Sequence, residues 1–119
     1  MIRNRFGAGL LAAASLAALA GCHSYHVETT IENRSGGAVT LLEVDYPSAS
    51  FGADAIASGA DFHYRFQIQG SGPLKVQYTQ SNGKTASATG PSLHQGQEGR
   101  LQIVLLPDAK VEFEPDLKP

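Results

Sequence analysis

Residues 61–69 read DFHYRFQIQ, and every second side chain in this stretch is apolar. Alternation with a period of two is the pattern of a β-strand that buries one face and leaves the other in water. The apolar face consists of Phe62, Tyr64, Phe66 and Ile68, and the polar face of His63, Arg65, Gln67 and Gln69. The sequence therefore predicts a strand over 61–69 with one dry and one wet face.

The same period recurs on both sides of this strand. It predicts further strands at 25–32, 38–46, 74–79, 84–89, 100–106 and 110–114. Asn82-Gly83 predicts a type I′ hairpin turn, whereas 48–59 and 90–99, with their Gly and Pro residues, are predicted to be loops. One short edge strand within 48–59 stays an alternative. Short strands at this spacing indicate an all-β protein, a small antiparallel two-sheet sandwich of the immunoglobulin-like kind. A small antiparallel barrel fits the same pattern and stays an alternative.

The composition agrees with one small domain that depends on its own core. The chain has 119 residues, 42% of them hydrophobic, and its single cysteine excludes an intramolecular disulfide. The predicted core consists of Val27, Ile31, Leu42, Val44, Phe62, Tyr64, Phe66, Ile68, Leu74, Val76, Tyr78, Leu101, Ile103, Leu105, Val111 and Phe113.

The charge balance excludes one large class of partner. The formal net charge is −2, so the chain lacks the basic surplus with which proteins bind a phosphate backbone. We therefore predict no nucleic-acid binding.

The N-terminal segment has the organisation of an export signal. Arg3 and Arg5 precede the uncharged stretch 6–18, which is too short and too rich in Ala and Gly for a favoured transmembrane helix. The segment ends in Leu19-Ala20-Gly21-Cys22, which contains the sole cysteine. These residues resemble the lipobox of bacterial lipoproteins, and the alternative is an ordinary secretory signal with an incidental cysteine.

The resemblance implies a lipid anchor. Cys22 would receive a diacylglyceryl group on its thiolate, and the chain would be cut between Gly21 and Cys22. His23 stands where the enterobacterial pattern places an Asp for inner-membrane retention, which favours the outer membrane, facing the periplasm, if the host has one. The implied organisation is a signal peptide at 1–21, a lipidated linker at 22–26, a sandwich at 27–114 and a flexible tail at 115–119.

Cleavage would also change the charge of the domain. The mature chain keeps seven Lys and Arg against eleven Asp and Glu, a net charge of −4. An acidic domain gains no attraction to an anionic lipid surface, so the acyl chains must hold it there.

Few residues suggest a ligand site. His63 and Arg65 on the wet face of 61–69, with His94 in a polar loop, are candidates for a polar ligand surface. The alternative is an ordinary solvent face on which Arg65 stacks its stem over a neighbour or pairs with Glu43 or Asp45. No HxH, HxxxH or CxxC spacing occurs, so we predict no metal site and no cofactor. The segment 46–52 offers aromatic side chains either to a partner or to the end of the sandwich.

These observations predict a membrane-anchored envelope lipoprotein whose β-sandwich has a binding or structural role. No G-x-S-x-G elbow or dinucleotide motif occurs, so no enzymatic reaction is predicted. Expected partners are the membrane, through the acyl chains on Cys22, and an envelope protein or glycan. The alternative function is a periplasmic metal- or small-ligand-binding lipoprotein that uses His63, His94 and His26.

Overall fold

The computed structural model describes residues 24–119, and within this range the chain forms eight strands. The strands are β1 (Val27–Asn33), β2 (Val39–Tyr46), β3 (Ala49–Ile56), β4 (Asp61–Phe66), β5 (Ser71–Thr79), β6 (Thr85–His94), β7 (Glu98–Leu106) and β8 (Lys110–Lys118). The all-β prediction is therefore confirmed.

The strands form two sheets of four strands each. One sheet has the order β4-β1-β7-β8 and the other has the order β3-β2-β5-β6, and we call them the first and the second sheet. Pairing is antiparallel except between β1 and β7, which run parallel. The two sheets pack face to face as a sandwich, so the barrel alternative does not hold.

Most of the predicted core lies between the two sheets. Val27, Ile31, Val44, Leu74 and Ile103 are among its fully buried residues. Phe62, Val111 and Phe113 are half-buried at its margin, and Tyr64 is wrong as a core residue because its side chain is 38% exposed. The prediction omitted several buried hydrophobic side chains, which are Val39, Phe51, Ile56, Ala86, Leu93 and Val104.

The loop predicted at 48–59 is wrong over most of its length, and the alternative of an edge strand there is met by β3, which lies at the edge of the second sheet. Tyr46 pairs with Ala49, which leaves Pro47 and Ser48 as a two-residue hairpin connection. Ser48 has a φ of +78°, and proline followed by a left-handed residue is the pattern of a type II turn. Pro47 thus turns the chain directly into the next strand.

Two further boundaries differ from the sequence prediction. The loop predicted at 90–99 shrinks to 95–97, since β6 continues to His94 and β7 begins at Glu98. The predicted tail at 115–119 is strand up to Lys118, because Pro115, Asp116, Leu117 and Lys118 pair with residues 98–101 of β7. Pro115 is compatible with this strand because β8 is an edge, where one backbone side needs no hydrogen bond.

The Asn82-Gly83 hairpin is confirmed, but its predicted turn type is wrong. A type I′ turn needs positive φ at both central residues, and here Gly83 has a φ of +86° while Asn82 has no positive φ. Gln80 N donates to Lys84 O at 2.8 Å, so the connection is one residue longer than a type I′ turn. The Asn82 side chain accepts a hydrogen bond from Lys84 N at 2.9 Å and stabilises this longer turn.

A β-bulge in β2 explains the adjacent leucines at 41 and 42. The register against β5 shifts between Thr40 and Glu43, so β2 carries one extra residue there. Leu42 is buried, whereas Leu41 adopts a φ of +51° and is 70% exposed. The bulge thus directs only Leu42 into the core.

The strand directions define two ends of the sandwich. We call the end where β1 begins the N-terminal end. The segments that lie at this end are 24–26, 46–49, 66–71, 94–98 and 117–119. The opposite end carries the connections at 33–39, 56–61, 79–85 and 106–110.

Candidate functional site

The structure separates the three residues predicted as a ligand surface. His63 and Arg65 lie on the outer face of β4, an edge strand of the first sheet. His94 lies at the end of β6, an edge strand of the second sheet. The candidate surface is therefore reduced to the outer face of the first sheet, around His63 and Arg65.

Arg65 is held by two side chains of the neighbouring strand and its N-terminal extension. Its Nε lies 3.2 Å from Glu28 Oε1, and its terminal guanidinium nitrogen lies 3.1 Å from His26 Nδ1. Because a guanidinium only donates, His26 Nδ1 is the acceptor in this contact. The predicted partners Glu43 and Asp45 are wrong, since both lie on β2 in the other sheet.

His63 makes the next contact along the same pair of strands. Its Nδ1 lies 3.1 Å from Thr30 Oγ1, and the two residues are direct register partners. Glu28 and Arg65 are register partners one step nearer the N-terminal end. All four side chains are at least partly exposed, so each contact contributes little to stability and leaves polar groups facing water.

The same polar face continues across β7 and β8. A shallow depression crosses the strands there, lined by Glu28, Thr30, Arg100, Gln102, Glu114 and Asp116. The register places Arg100 between Glu28 and Asp116, and Gln102 between Thr30 and Glu114. Sequence reasoning missed this depression. The alternation in each strand was visible, but it does not reveal which strands are neighbours.

Glu32 and Arg34 form a further ion pair on this sheet, near the opposite end. Arg34 donates to the Glu32 carboxylate at 3.2 and 3.3 Å. The hydrogen bond from Arg34 lowers the pKa of Glu32, and the same bond raises the pKa of Arg34. The Glu32 carboxylate is therefore ionised at neutral pH and binds Arg34 in the turn after β1.

Aromatic rings close the side of the sandwich where β3 meets β4. Phe51 stacks on Tyr64 and Tyr46 stacks on Phe66, each with ring centroids 4.1 Å apart. Burial, together with the nearby Tyr64, raises the pKa of Tyr46. In the aromatic segment 46–52, Tyr46 and Phe51 thus pack on rings of β4, which belongs to the sandwich itself.

Two hydroxyl groups of the core lack hydrogen-bond partners among the described residues. They belong to Thr29 and Tyr78, which are 2% and 1% exposed. Burial raises the pKa of Tyr78, because the phenolate form loses its hydration inside the core. Both hydroxyls therefore bear on the stability of the core.

The predicted lipidation and cleavage residues, Cys22 and Gly21, lie outside the described residues, as do His23 and the rest of the signal. Within 24–119 no three His, Cys, Asp or Glu side chains converge in a way that could hold a metal ion. Over the same residues, no helix has the length and apolar character needed to cross a membrane.

The fold and this surface define a small two-sheet β-sandwich domain with a charged, hydrogen-bonded outer face on one sheet. No known protein family matches the chain, and no curated protein matches it. Among solved structures, a protein from Eubacterium rectale determined by NMR is similar, with a TM-score of 0.57 and 14% sequence identity. The match covers 76% of this chain and 88% of that one, and it supports the fold alone.

Proposed function

We propose that this protein is a lipid-anchored lipoprotein of the bacterial cell envelope whose β-sandwich is a non-catalytic binding or structural domain. The observation that carries the proposal is the tetrapeptide Leu19-Ala20-Gly21-Cys22 after an uncharged segment with two preceding arginines. The thiol of Cys22 is the nucleophile that a diacylglyceryl transfer needs.

The position of the folded domain supports this assignment. Strand β1 begins at Val27, five residues after the proposed lipidation site. Ser24 and Tyr25 are exposed at one end of the sandwich and do not enter the core. Cleavage between Gly21 and Cys22 would therefore remove none of the residues that form the sandwich.

The polar outer face of the first sheet supports a binding role for the domain. Arg65, Arg100, Glu28 and Gln102 present donors and acceptors in rows set by the strand register. Such a face suits hydroxyl-rich glycans or polar protein surfaces of the envelope. Co-sedimentation with isolated cell-wall glycan tests this role, and we expect Arg100→Ala to weaken it while Lys84→Ala at the opposite end does not.

The anchoring proposal is tested in cells with the full chain. We expect the wild-type chain to fractionate with membranes and to incorporate an alkyne-tagged palmitate. Cys22→Ala should lose the label, whereas the matched control Ser24→Ala, which leaves the tetrapeptide intact, should keep it. Labelling of Cys22→Ala at the wild-type level would contradict the proposal.

The outer-membrane location is a separate proposal that rests on His23. In a host with two membranes, density-gradient separation should place the wild-type chain in the outer-membrane fractions. His23→Asp should move the labelled protein to the inner membrane. Equal distributions of the two chains would contradict the role assigned to position 23.

A further inference from the structure

The N-terminal end of the sandwich is built from several chain segments that surround the first described residues. Tyr25 borders a depression with Gln67, Ile68, Gln69, Gln95 and Gly96. A second depression beside it is lined by Ser24, His26, Arg65, Glu98 and Lys118, among others. The first described residues, Ser24 and Tyr25, therefore lie at this end and border two depressions.

The distance from Cys22 to this end is short. Only His23 separates Cys22 from Ser24, and two Cα–Cα steps span at most about 7.6 Å. The opposite end is farther away by the length of a strand, roughly 25 Å for eight residues. An anchor at Cys22 thus brings one particular end of the sandwich to the lipid surface.

The chemistry of this end suits contact with lipid headgroups. Its segments contain one acid, Glu98, and one strongly basic side chain, Lys118, although the mature chain as a whole is acidic. Gln67, Gln69 and Gln95 are exposed and offer amide donors and acceptors. Tyr25 is 48% exposed, and tyrosine is enriched where a ring meets the membrane interface.

We propose that the N-terminal end rests on the headgroup layer of the membrane, with Tyr25, Gln67, Gln69 and Gln95 in contact with lipid. The strands then stand upright on the membrane, and the opposite end points away from it. The polar face around His63 and Gln102, farther from this end, is lateral in this orientation and stays accessible to other envelope components. This inference rests on the lipid anchor proposed above.

The orientation is tested with single thiols in the full, processed chain. Acylation converts the sulfur of Cys22 to a thioether, so a cysteine introduced elsewhere is the free thiol of the lipidated protein. Gln69→Cys reports on the N-terminal end, and Asn82→Cys is the matched control at the opposite end, since both positions are exposed polar loop residues. Each lipidated variant is labelled with a fluorophore and reconstituted into phosphatidylethanolamine and phosphatidylglycerol vesicles that contain a headgroup-attached nitroxide lipid.

We expect several-fold stronger quenching of the label at position 69 than of the label at position 82. Equal quenching of the two labels in a chain whose mass includes the lipid would overturn the orientation and leave the anchor intact. A purified chain that lacks lipid would overturn the anchor, and the orientation with it. Mass measurement before reconstitution therefore distinguishes the two failures.

Discussion

The side-chain amide of Asn33, at the end of β1, donates a hydrogen bond to the carbonyl oxygen of Ile56, at the end of β3, over 2.9 Å. The two strands belong to different sheets, so this bond joins the layers of the sandwich. The same amide also contacts Gly37 O at 2.9 Å, and Asn33 Oδ1 accepts from Ser35 Oγ at 2.6 Å. One fully buried polar side chain thus fixes the turn after β1 against the end of β3.

Asn33→Ala should strongly destabilise the fold. It removes these bonds and leaves buried carbonyl groups without their donor, which costs about 2–4 kcal/mol in the free energy of unfolding. Urea unfolding of residues 24–119 measures the loss. Asn82→Ala is the matched control, since its side chain makes a turn bond at an exposed site. Losses of equal size in the two variants would contradict the role assigned to Asn33.

The sequence predicted the class of the fold because alternation records which face of a strand is buried. The stretch 61–69 illustrates both the success and its limit. Phe66 and Ile68 are buried as predicted, yet β4 ends at Phe66. Alternation carries no information on neighbours, so the partner of Arg65 was assigned to the wrong sheet. For the same reason, alternation did not predict the parallel pairing of β1 with β7.

Strand β3 was predicted to be a loop, with a short edge strand only as the alternative, for a different physical reason. Its residues ASFGADAI are mostly small, and small residues have weak strand propensity. Gly52 is required there, because a Cβ at this position would lie 2.6 Å from Leu42 O. The close approach of β3 to β2 thus explains a composition that resembles a loop.

Thr29→Val should stabilise the protein. The Thr29 hydroxyl is buried without a hydrogen-bond partner among residues 24–119, so its replacement by a methyl group of similar size removes a desolvation cost of about 1 kcal/mol or more. Thermal or urea unfolding measures the gain. Thr30→Val is the matched control on the wet face of the same strand, and it should give no such gain. A destabilised Thr29→Val chain would contradict this account of the core.

The raised pKa of Tyr78 predicts a loss of stability at alkaline pH. Below about pH 10 the phenol is neutral in both the folded and the unfolded chain. At higher pH the unfolded chain releases this proton while the folded chain retains it, so the free energy of unfolding falls as pH rises through the pKa of the folded state. Urea unfolding between pH 8 and pH 11 should show this decline.

Tyr78→Phe is the variant that isolates this effect. The free energy of unfolding of this variant should decline less steeply above about pH 10. Part of the remaining slope is due to Tyr46, because burial raises the pKa of that side chain as well. Identical slopes for the wild-type and Tyr78→Phe chains would show that the buried phenol does not govern the alkaline range.

Ser48→Gly should stabilise the β2–β3 hairpin. Ser48 adopts a φ of +78°, which glycine accepts without steric cost. We expect the relief of backbone strain to raise the free energy of unfolding by about 0.5–1 kcal/mol. The extra backbone entropy that glycine gives the unfolded chain reduces this gain. Ser50→Gly within β3 is the control and should reduce stability. A loss at position 48 as large as that at position 50 would contradict the assigned turn.

The central claim is that Cys22 becomes a lipidated N-terminus, and the intact mass of the full chain expressed in a bacterial host tests it most directly. The account predicts a purified product that begins at Cys22 and carries at least the added mass of a diacylglyceryl group. It also predicts that Cys22→Ala retains residues 1–21 and gains no lipid mass. A wild-type product without lipid, whether cut elsewhere or uncut, would contradict the account.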